Sequence, residues 1–398
     1  MIRSTLLAIT LAFAAIPAFG EDAKGSVVAK LQPYLADHTL SGAVTLVASK
    51  NRVLSFETAG HADVAAKEPM KKDSLFWIAS MSKPVSITAF MMLVDEGKVN
   101  VDDPAEKYLP EFKGMMVAME TNADHVLLKK PAHPVRVRDL ITHTHGLSRA
   151  PLDLKGESLS LRNAVRTYSL TPLKWEPGSR YEYSNMGIDA AAAIVEVVSE
   201  KHFEDFLDER LLRPLGMKDT TFWPDERQLK RIAKSYKPRK DKTGLDEASL
   251  GVFEPSAGNL RRAPGPAGGL FSTATDISIF GRMLLNGGSY GGKRYLSEAA
   301  VKQMTSTQTG DLLLAGRDDT GYGFGFMTGR DSQPGAAWMA SGTYGHGGAF
   351  GTFLWIDPKR ELVMVLMIQH ASFPGQEKDT IRPTFVKAAV ETFGVNSD

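Results

Sequence analysis

The chain has 398 residues, 43% of them hydrophobic and 23% charged, with 47 basic against 46 acidic side chains and no cysteine. That balance belongs to a globular protein with an extensive core, and it excludes a disordered chain, a disulfide scaffold and thiol chemistry. The near-neutral charge also gives no footprint for nucleic acid, so no nucleic-acid partner is expected.

The first twenty residues, MIRSTLLAITLAFAAIPAFG, carry one arginine, an apolar stretch from Leu6 to Ile16 and the small-x-small ending Ala18-Phe19-Gly20. This is the pattern of a signal peptide cleaved after Gly20. An eleven-residue apolar stretch is too short to cross a bilayer and no later run is long enough. A periplasmic or secreted protein without an integral membrane span is therefore expected. Cleavage removes only Arg3 from the charge count, leaving 46 basic and 46 acidic groups.

Val27 to Leu35 has helical spacing. GAVTLVAS (Gly42 to Ser49), the turn Lys50-Asn51-Arg52 and VLSFETAG (Val53 to Gly60) read as a β-hairpin. At the far end, TFLWID (Thr352 to Asp357), the turn Pro358-Lys359-Arg360 and LVMVLMIQ (Leu362 to Gln369) form a second hairpin, followed by a helical pattern from Ile381 to Phe393. Neither hairpin has enough strands to stand alone, so the two termini are expected to share one antiparallel sheet flanked by helices. Between them Lys83 to Glu96, Gly187 to Val198, Phe203 to Leu211 and Ala274 to Leu285 carry apolar residues at three- and four-residue spacing. The expected fold class is α/β plus all-α, in two lobes of a single domain spanning residues 21–398. An α/β lobe takes about 25–79 and 335–398, and a mainly helical lobe is inserted over about 80–334. The charged run from Lys234 to Glu247 reads as a solvated surface loop.

Three stretches carry candidate chemistry. Ser80-Met81-Ser82-Lys83 is an S-x-x-K tetrad, and on a helix that spacing sets the Lys83 amine against the Ser80 hydroxyl. A serine becomes a nucleophile when a neighbouring base takes its proton, and a partly buried lysine of lowered pKa can be that base. The plainer reading is that Ser80 or Ser82 caps the helix beginning near Lys83-Pro84. In YEYSNMG, extended or loop backbone puts Tyr183 and Asn185 on one side. A phenol near lysines can have its pKa lowered enough to act as a base, and an asparagine amide can donate to a substrate carbonyl; the alternative is a loop in which Asn185 caps the next helix. YGHGGAFGT (Tyr344 to Thr352) is a glycine-dense approach to the C-terminal hairpin, where bare N–H groups can bind a developing oxyanion, or where the chain simply turns.

S-x-x-K, Tyr-x-Asn and His-x-Gly, in that order, resemble the serine β-lactamase and penicillin-binding protein superfamily, in particular its class C-like branch and the related serine esterases. The likeness continues through FWIASMSKP, DLITHTHGLS (Asp139 to Ser148), WEPGSRYEYSNMG (Trp175 to Gly187) and PAGGLFSTATDISIFGRMLLNGG (Pro266 to Gly288), covering nearly the whole chain beyond residue 20. The resemblance implies a two-lobe fold with the site in the cleft between lobes. Ser80 would be the acylated nucleophile, Lys83 its proton acceptor, and Tyr183 the group that carries the proton to the leaving atom and activates water. The backbone N–H groups of Ser80 and Ala349 would form the oxyanion hole, and Asn185, His346, Gly347, Gly348 and Ala349 would line the substrate. No cofactor or metal is implied.

The β-lactamases proper carry lysine in the third motif, where its charge meets the substrate carboxylate; here the position is His346. A neutral imidazole offers one donor and no fixed cation, which tilts the reading toward esters. The literal Lys242-Thr243-Gly244 lies in the charged run without a strand pattern around it and reads as a chance match. His143 and His145 at i and i+2 point apart and have no acidic partner at ligand spacing, so they are not read as a metal site, and His145 is left unexplained. Trp77, Trp175 and Trp355 read as packing residues, with Trp175 the candidate to line the cleft. Gly342 and Gly345 bracket no serine of a G-x-S-x-G elbow, so an α/β-hydrolase origin is not read. The leading expectation is an exported serine hydrolase of small carboxylic esters with weak β-lactam turnover. A D-alanyl-D-alanine carboxypeptidase or β-lactamase is the alternative within the same chemistry, and a non-catalytic relative that binds peptidoglycan or protein is the alternative outside it.

Overall fold

Eight antiparallel strands form the central sheet of the computed structural model, which describes residues 25–149, 160–255, 263–314, 319–330, 339–374 and 378–394. The expected signal peptide, residues 1–20, and the start of the expected C-terminal lobe segment, residues 335–338, lie outside the described residues. In chain order the strands are β1 (Gly42–Ala48), β2 (Val53–Asp63), β3 (Glu68–Pro69), β4 (Thr320–Tyr322), β5 (Met327–Gly329), β6 (Tyr344–Gly347), β7 (Phe353–Asp357) and β8 (Leu362–Met367). Their spatial order is β4-β5-β6-β7-β8-β1-β2-β3. The two hairpins read from the sequence therefore join along β8 and β1, where Val44 faces Met367 and Ala48 faces Val363.

β1 is buried along its whole length because both faces of the sheet are covered. Val44 and Leu46 face the large core shared with the inserted helices, while Ala43 and Val47 face a smaller core beneath the terminal helices. The chain enters as a 3₁₀ turn, Val28–Leu31, and a short helix, Gln32–Ala36. It leaves as a helix over Ile381–Phe393 that packs on β8.

The lobe boundaries depart from expectation. β4 and β5 belong to the sheet although they fall within 80–334, and helix Ala274–Leu285 packs across β7, β8 and β1. The α/β part thus takes more chain than 25–79 and 335–398, because β4 and β5 are three-residue strands too short to show a period of two in sequence. In the helical part, α1 (Ser82–Asp95) packs on α2 (Met186–Ser199), which in turn contacts the short helices Val137–Ile141, Leu161–Arg166 and Phe203–Leu207. α1 is buried on every side from Ser82 to Leu93, which marks it as a central helix rather than a surface one. The charged run Lys234 to Glu247 is not a plain loop: Tyr236–Pro238 pairs with Leu245–Glu247 as a small hairpin, anchored where buried Tyr236 exchanges backbone hydrogen bonds with Gln369 and Ala371. No described helix is long and apolar enough to cross a membrane.

Candidate active site

Ser80 sits where a strand meets a helix. Phe76 and Trp77 pair with Ser272 and Phe271, and the Ile78 N–H donates to the Leu270 carbonyl. The chain then turns through Ala79, whose φ of 46° lies in the left-handed region, into a 3₁₀ turn over Ala79–Met81 that runs on into α1. Neither serine caps this helix. Ser82 Oγ instead accepts from the Leu270 N–H at 3.1 Å, tying the helix start to the chain entering the strand that pairs with Phe76 and Trp77.

Lys83, one turn further on, is fully buried. Its Nζ lies 3.1 Å from Ser80 Oγ, 2.8 Å from Asn185 Oδ1 and 2.8 Å from the Ala267 carbonyl oxygen. Burial pulls its pKa down to about 7, against the negative charge of Asp189, which raises it. As a free amine, Lys83 has two N–H hydrogens for Asn185 and Ala267 and one lone pair for the Ser80 hydroxyl proton. Three neighbours thus fix the orientation a general base needs.

Tyr183 and Asn185 come from the loop leading into α2. Asn185 occupies the N-cap position without making a cap bond, since its oxygen accepts from Lys83 Nζ. The Tyr183 ring lies with its centroid 4.7 Å from Lys83 Nζ. The expectation of a lowered phenol pKa is corrected: desolvation pushes it up, and a hydrogen bond with Ser80 pulls less strongly the other way. A lysine that itself gives up its charge near neutrality cannot hold a phenolate. Because 45% of Tyr183 faces the open cleft, solvent softens the upward push but does not reverse it. Tyr183 therefore keeps its proton in the resting site.

Asp189, four residues after Asn185 on α2, escaped the sequence reading. Burial pushes its carboxyl up to about 6, while the Lys83 charge, the Tyr168 hydroxyl and the Ala267 N–H pull it down. Tyr168 donates to Asp189 Oδ2 at 3.2 Å. The signal was present: Asp189 is the one acid within the apolar stretch MGIDAAAAIV. His143 and His145 also find their places. His143 Nδ1 accepts from the Ser184 N–H at 3.3 Å, and its ring packs against Tyr181, Tyr183 and Tyr322, so it pins the Tyr183 loop. His145 Nδ1 accepts from the Leu147 N–H at 2.8 Å. Its ring lies where a Cβ on Gly187 would come within 2.8 Å of Cδ2, so the glycine opening α2 makes room for it.

The third stretch forms β6 and the turn after it. His346 is buried, and its expected role as a donor to substrate is corrected. Nδ1 donates to the Gly347 carbonyl at 2.7 Å and Nε2 accepts from the Tyr322 hydroxyl at 3.3 Å, so both ring nitrogens are engaged. Burial and the nearby Lys83 charge hold its pKa down at about 3, leaving it neutral at pH 7. Gly348 allows a close approach beside Ser80. A Cβ there would stand 2.0 Å from Thr352 Oγ1 and 2.5 Å from the Ile78 oxygen. Thr352 Oγ1 donates to the Ile78 carbonyl at 3.1 Å, two residues before Ser80, so the turn carrying Ala349 is tied to the strand carrying the serine. Neither the Ser80 nor the Ala349 N–H donates in a backbone hydrogen bond found among the described residues. Arg382, at the start of the C-terminal helix, donates through Nη2 to the Gly348 and Thr352 carbonyls and pairs with Asp379. No spacing in the sequence signals this role.

Ser80, Tyr183, His346, Gly347, Gly348 and Ala349 all line one cavity of about 400 Å³. Lys242, Thr243 and Gly244 do not; they form the exposed tip of the small hairpin, where Thr243 bonds only to Asp241. The tryptophans exchange their expected places. Trp355 lines the cavity, while Trp175 donates to the Thr144 carbonyl and stacks beside Arg180 away from it.

The Beta-lactamase family profile matches residues 27–387, and the chain belongs to that family as a serine hydrolase. It is 33% identical to Protein Rv1367c of Mycobacterium tuberculosis, over 89% of this chain and 96% of that one. It is 28% identical to Esterase EstB of Burkholderia gladioli, over 86% and 88%. Among solved structures, EstCE1, a hydrolase with promiscuous acyltransferase activity, shares the fold at a TM-score of 0.75 and 23% identity, covering 92% of this chain and 97% of its own.

Proposed function

We propose that this protein is an exported hydrolase that cleaves carboxylic esters through an acyl-enzyme on Ser80. Lys83 takes the Ser80 proton as Oγ bonds to the ester carbonyl carbon, and the resulting oxyanion rests on the Ser80 and Ala349 N–H groups. The proton passes through Tyr183 to the leaving alkoxide as the C–O bond breaks. Water then enters by the reverse path, giving a proton back through Tyr183, and releases the acid from Ser80.

The observation that carries the ester reading is that, among the described residues, the guanidinium in the cavity wall, Arg382, is already committed to the Gly348 and Thr352 carbonyls and to Asp379. His346 is neutral with both nitrogens engaged. A penicillin or a peptide ending in a free carboxylate would have to win Arg382 from Asp379 and the two carbonyls, whereas an ester brings no charge to bury. The esterase among the relatives supports the same reading. The apolar stretch and small-x-small ending of residues 1–20 support export, and the N-terminal sequence of the protein recovered from its own host tests it; an N-terminus at Met1 would overturn it.

The test of activity is hydrolysis of p-nitrophenyl esters beside benzylpenicillin, with intact-protein mass. We expect ester turnover and an acyl adduct on the unmutated protein, both reduced by about 10⁵-fold or more in Ser80→Ala. The protonated amine cannot accept the serine proton, so kcat/KM should rise as pH climbs through about 7, where Lys83 loses its charge. Ester turnover surviving Ser80→Ala would overturn the mechanism, and faster penicillin than ester turnover would overturn the substrate class.

A further inference from the structure

We infer that the cavity leading from Ser80 is an acyl-chain pocket, and that it selects esters of unbranched apolar acids of medium length. The inference rests on the ester reading above and goes past it, since the chemistry at Ser80 alone sets no chain length.

The cavity exists because the sheet is incomplete beside β6. β5 pairs with β6 only at Tyr344 and Gly345, so His346 and Gly347 have no strand partner on that side. A Cβ on Gly347 would stand 2.6 Å from Arg382 Nη2, so the glycine leaves its side-chain space to that guanidinium. What lines the space beyond it is apolar: Leu314, Met327, Met339, Phe353, Trp355 and Phe373. Several of these belong to the core on the far face of the sheet, so the cavity runs past the end of the strand into a hydrocarbon wall.

Orientation follows from the reacting atoms. The leaving oxygen has to meet the Tyr183 hydroxyl, and the carbonyl oxygen has to meet the Ser80 and Ala349 N–H groups. The remaining substituent of the carbonyl carbon, the acyl chain, is then directed along Gly347 to Ala349 and into the apolar end. The charged group there is Arg382, and its guanidinium is covered: it lies 4.3 Å from the Phe373 ring centroid and 5.2 Å from that of Phe353, and the residue is only 7% exposed. Among the described residues, a chain entering this end meets mainly ring faces and thioethers, with the Arg382 guanidinium set between two of the rings.

Size sets the length. The cavity measures about 400 Å³, and at ~30 Å³ for each water-sized group it holds about a dozen heavy atoms. An ester carbonyl with an acyl chain of roughly eight to ten carbons fills it. Each methylene buried before that limit should raise kcat/KM about fourfold.

The experiment is a p-nitrophenyl ester series from acetate to laurate with the unmutated protein, Leu314→Trp, Phe373→Ala and Ser80→Ala. We expect kcat/KM to climb from acetate to about octanoate or decanoate and then level or fall. Leu314→Trp should cut the octanoate-to-acetate ratio at least tenfold, and Phe373→Ala should move the preferred length upward; either shift suffices if the other variant fails to fold. A flat or falling profile from acetate onward, or an unchanged profile in every variant that folds, would overturn the pocket while leaving the ester reading intact. Loss of Ser80-dependent turnover at every length would instead overturn the ester reading, and the pocket with it.

Discussion

The sequence holds two lysine- or histidine-led glycine stretches, and the fold gives them opposite fates. Lys242-Thr243-Gly244 caps a two-stranded hairpin in solvent, with Lys242 at a φ of 56° and Thr243 bonded to its own neighbour Asp241. His346-Gly347-Gly348 ends a strand in the middle of an eight-stranded sheet, beside Ser80, with every polar atom of the histidine ring engaged. The first matches the lettering of a β-lactamase motif and touches nothing reactive, while the second departs from the lettering and lines the cleft. Placement on the sheet, which sets what a backbone N–H can reach, decides which stretch carries chemistry.

Three substitutions would break or sharpen that contrast. The largest effect is expected from Gly348→Ala, because its methyl group must push either Thr352 or the Ile78 carbonyl aside and so part the two halves of the oxyanion hole. We expect a loss of roughly 10²- to 10³-fold in kcat for esters, the scale seen when one such donor is lost. A kcat within threefold of the unmutated protein would show that the turn does not position Ala349. His346→Ala comes next: it removes the acceptor for Tyr322 and opens space beside the reacting carbonyl, and a kcat/KM loss on the order of tenfold is expected. Unchanged kinetics would make His346 a spectator. Lys242→Ala should leave kcat/KM unchanged within twofold, and a tenfold fall would return the hairpin to the site.

Much of this was legible in the residues. Two hairpins and their union into one sheet followed from β-branched runs around polar turns, and the contact of Ser80 with Lys83 followed from helical spacing. What was not legible depends on distance in the chain. β4 and β5 are too short to carry a pattern, so the border of the inserted lobe was set too late. Asn185 was read either as a helix cap or as a donor to substrate, and its oxygen serves Lys83, 102 positions earlier. The direction of the Tyr183 shift was missed because proximity to a lysine lowers a phenol only if the lysine keeps its charge, and burial takes that charge from Lys83. Asp189 could have been found as a lone acid in an apolar helix, but Arg382 could not.

The hydrogen bond from Thr352 to the Ile78 carbonyl spans 274 positions of chain. During synthesis the ribosome therefore delivers a serine and its lysine long before it delivers the turn that would steady an oxyanion between them. Until β7 and β8 are made and β8 pairs with β1, the nascent chain holds Ser80 and Lys83 without the turn that carries Ala349. Activity should switch on with the last tenth of translation, so a protein truncated before Thr352 would be silent however well its helices fold.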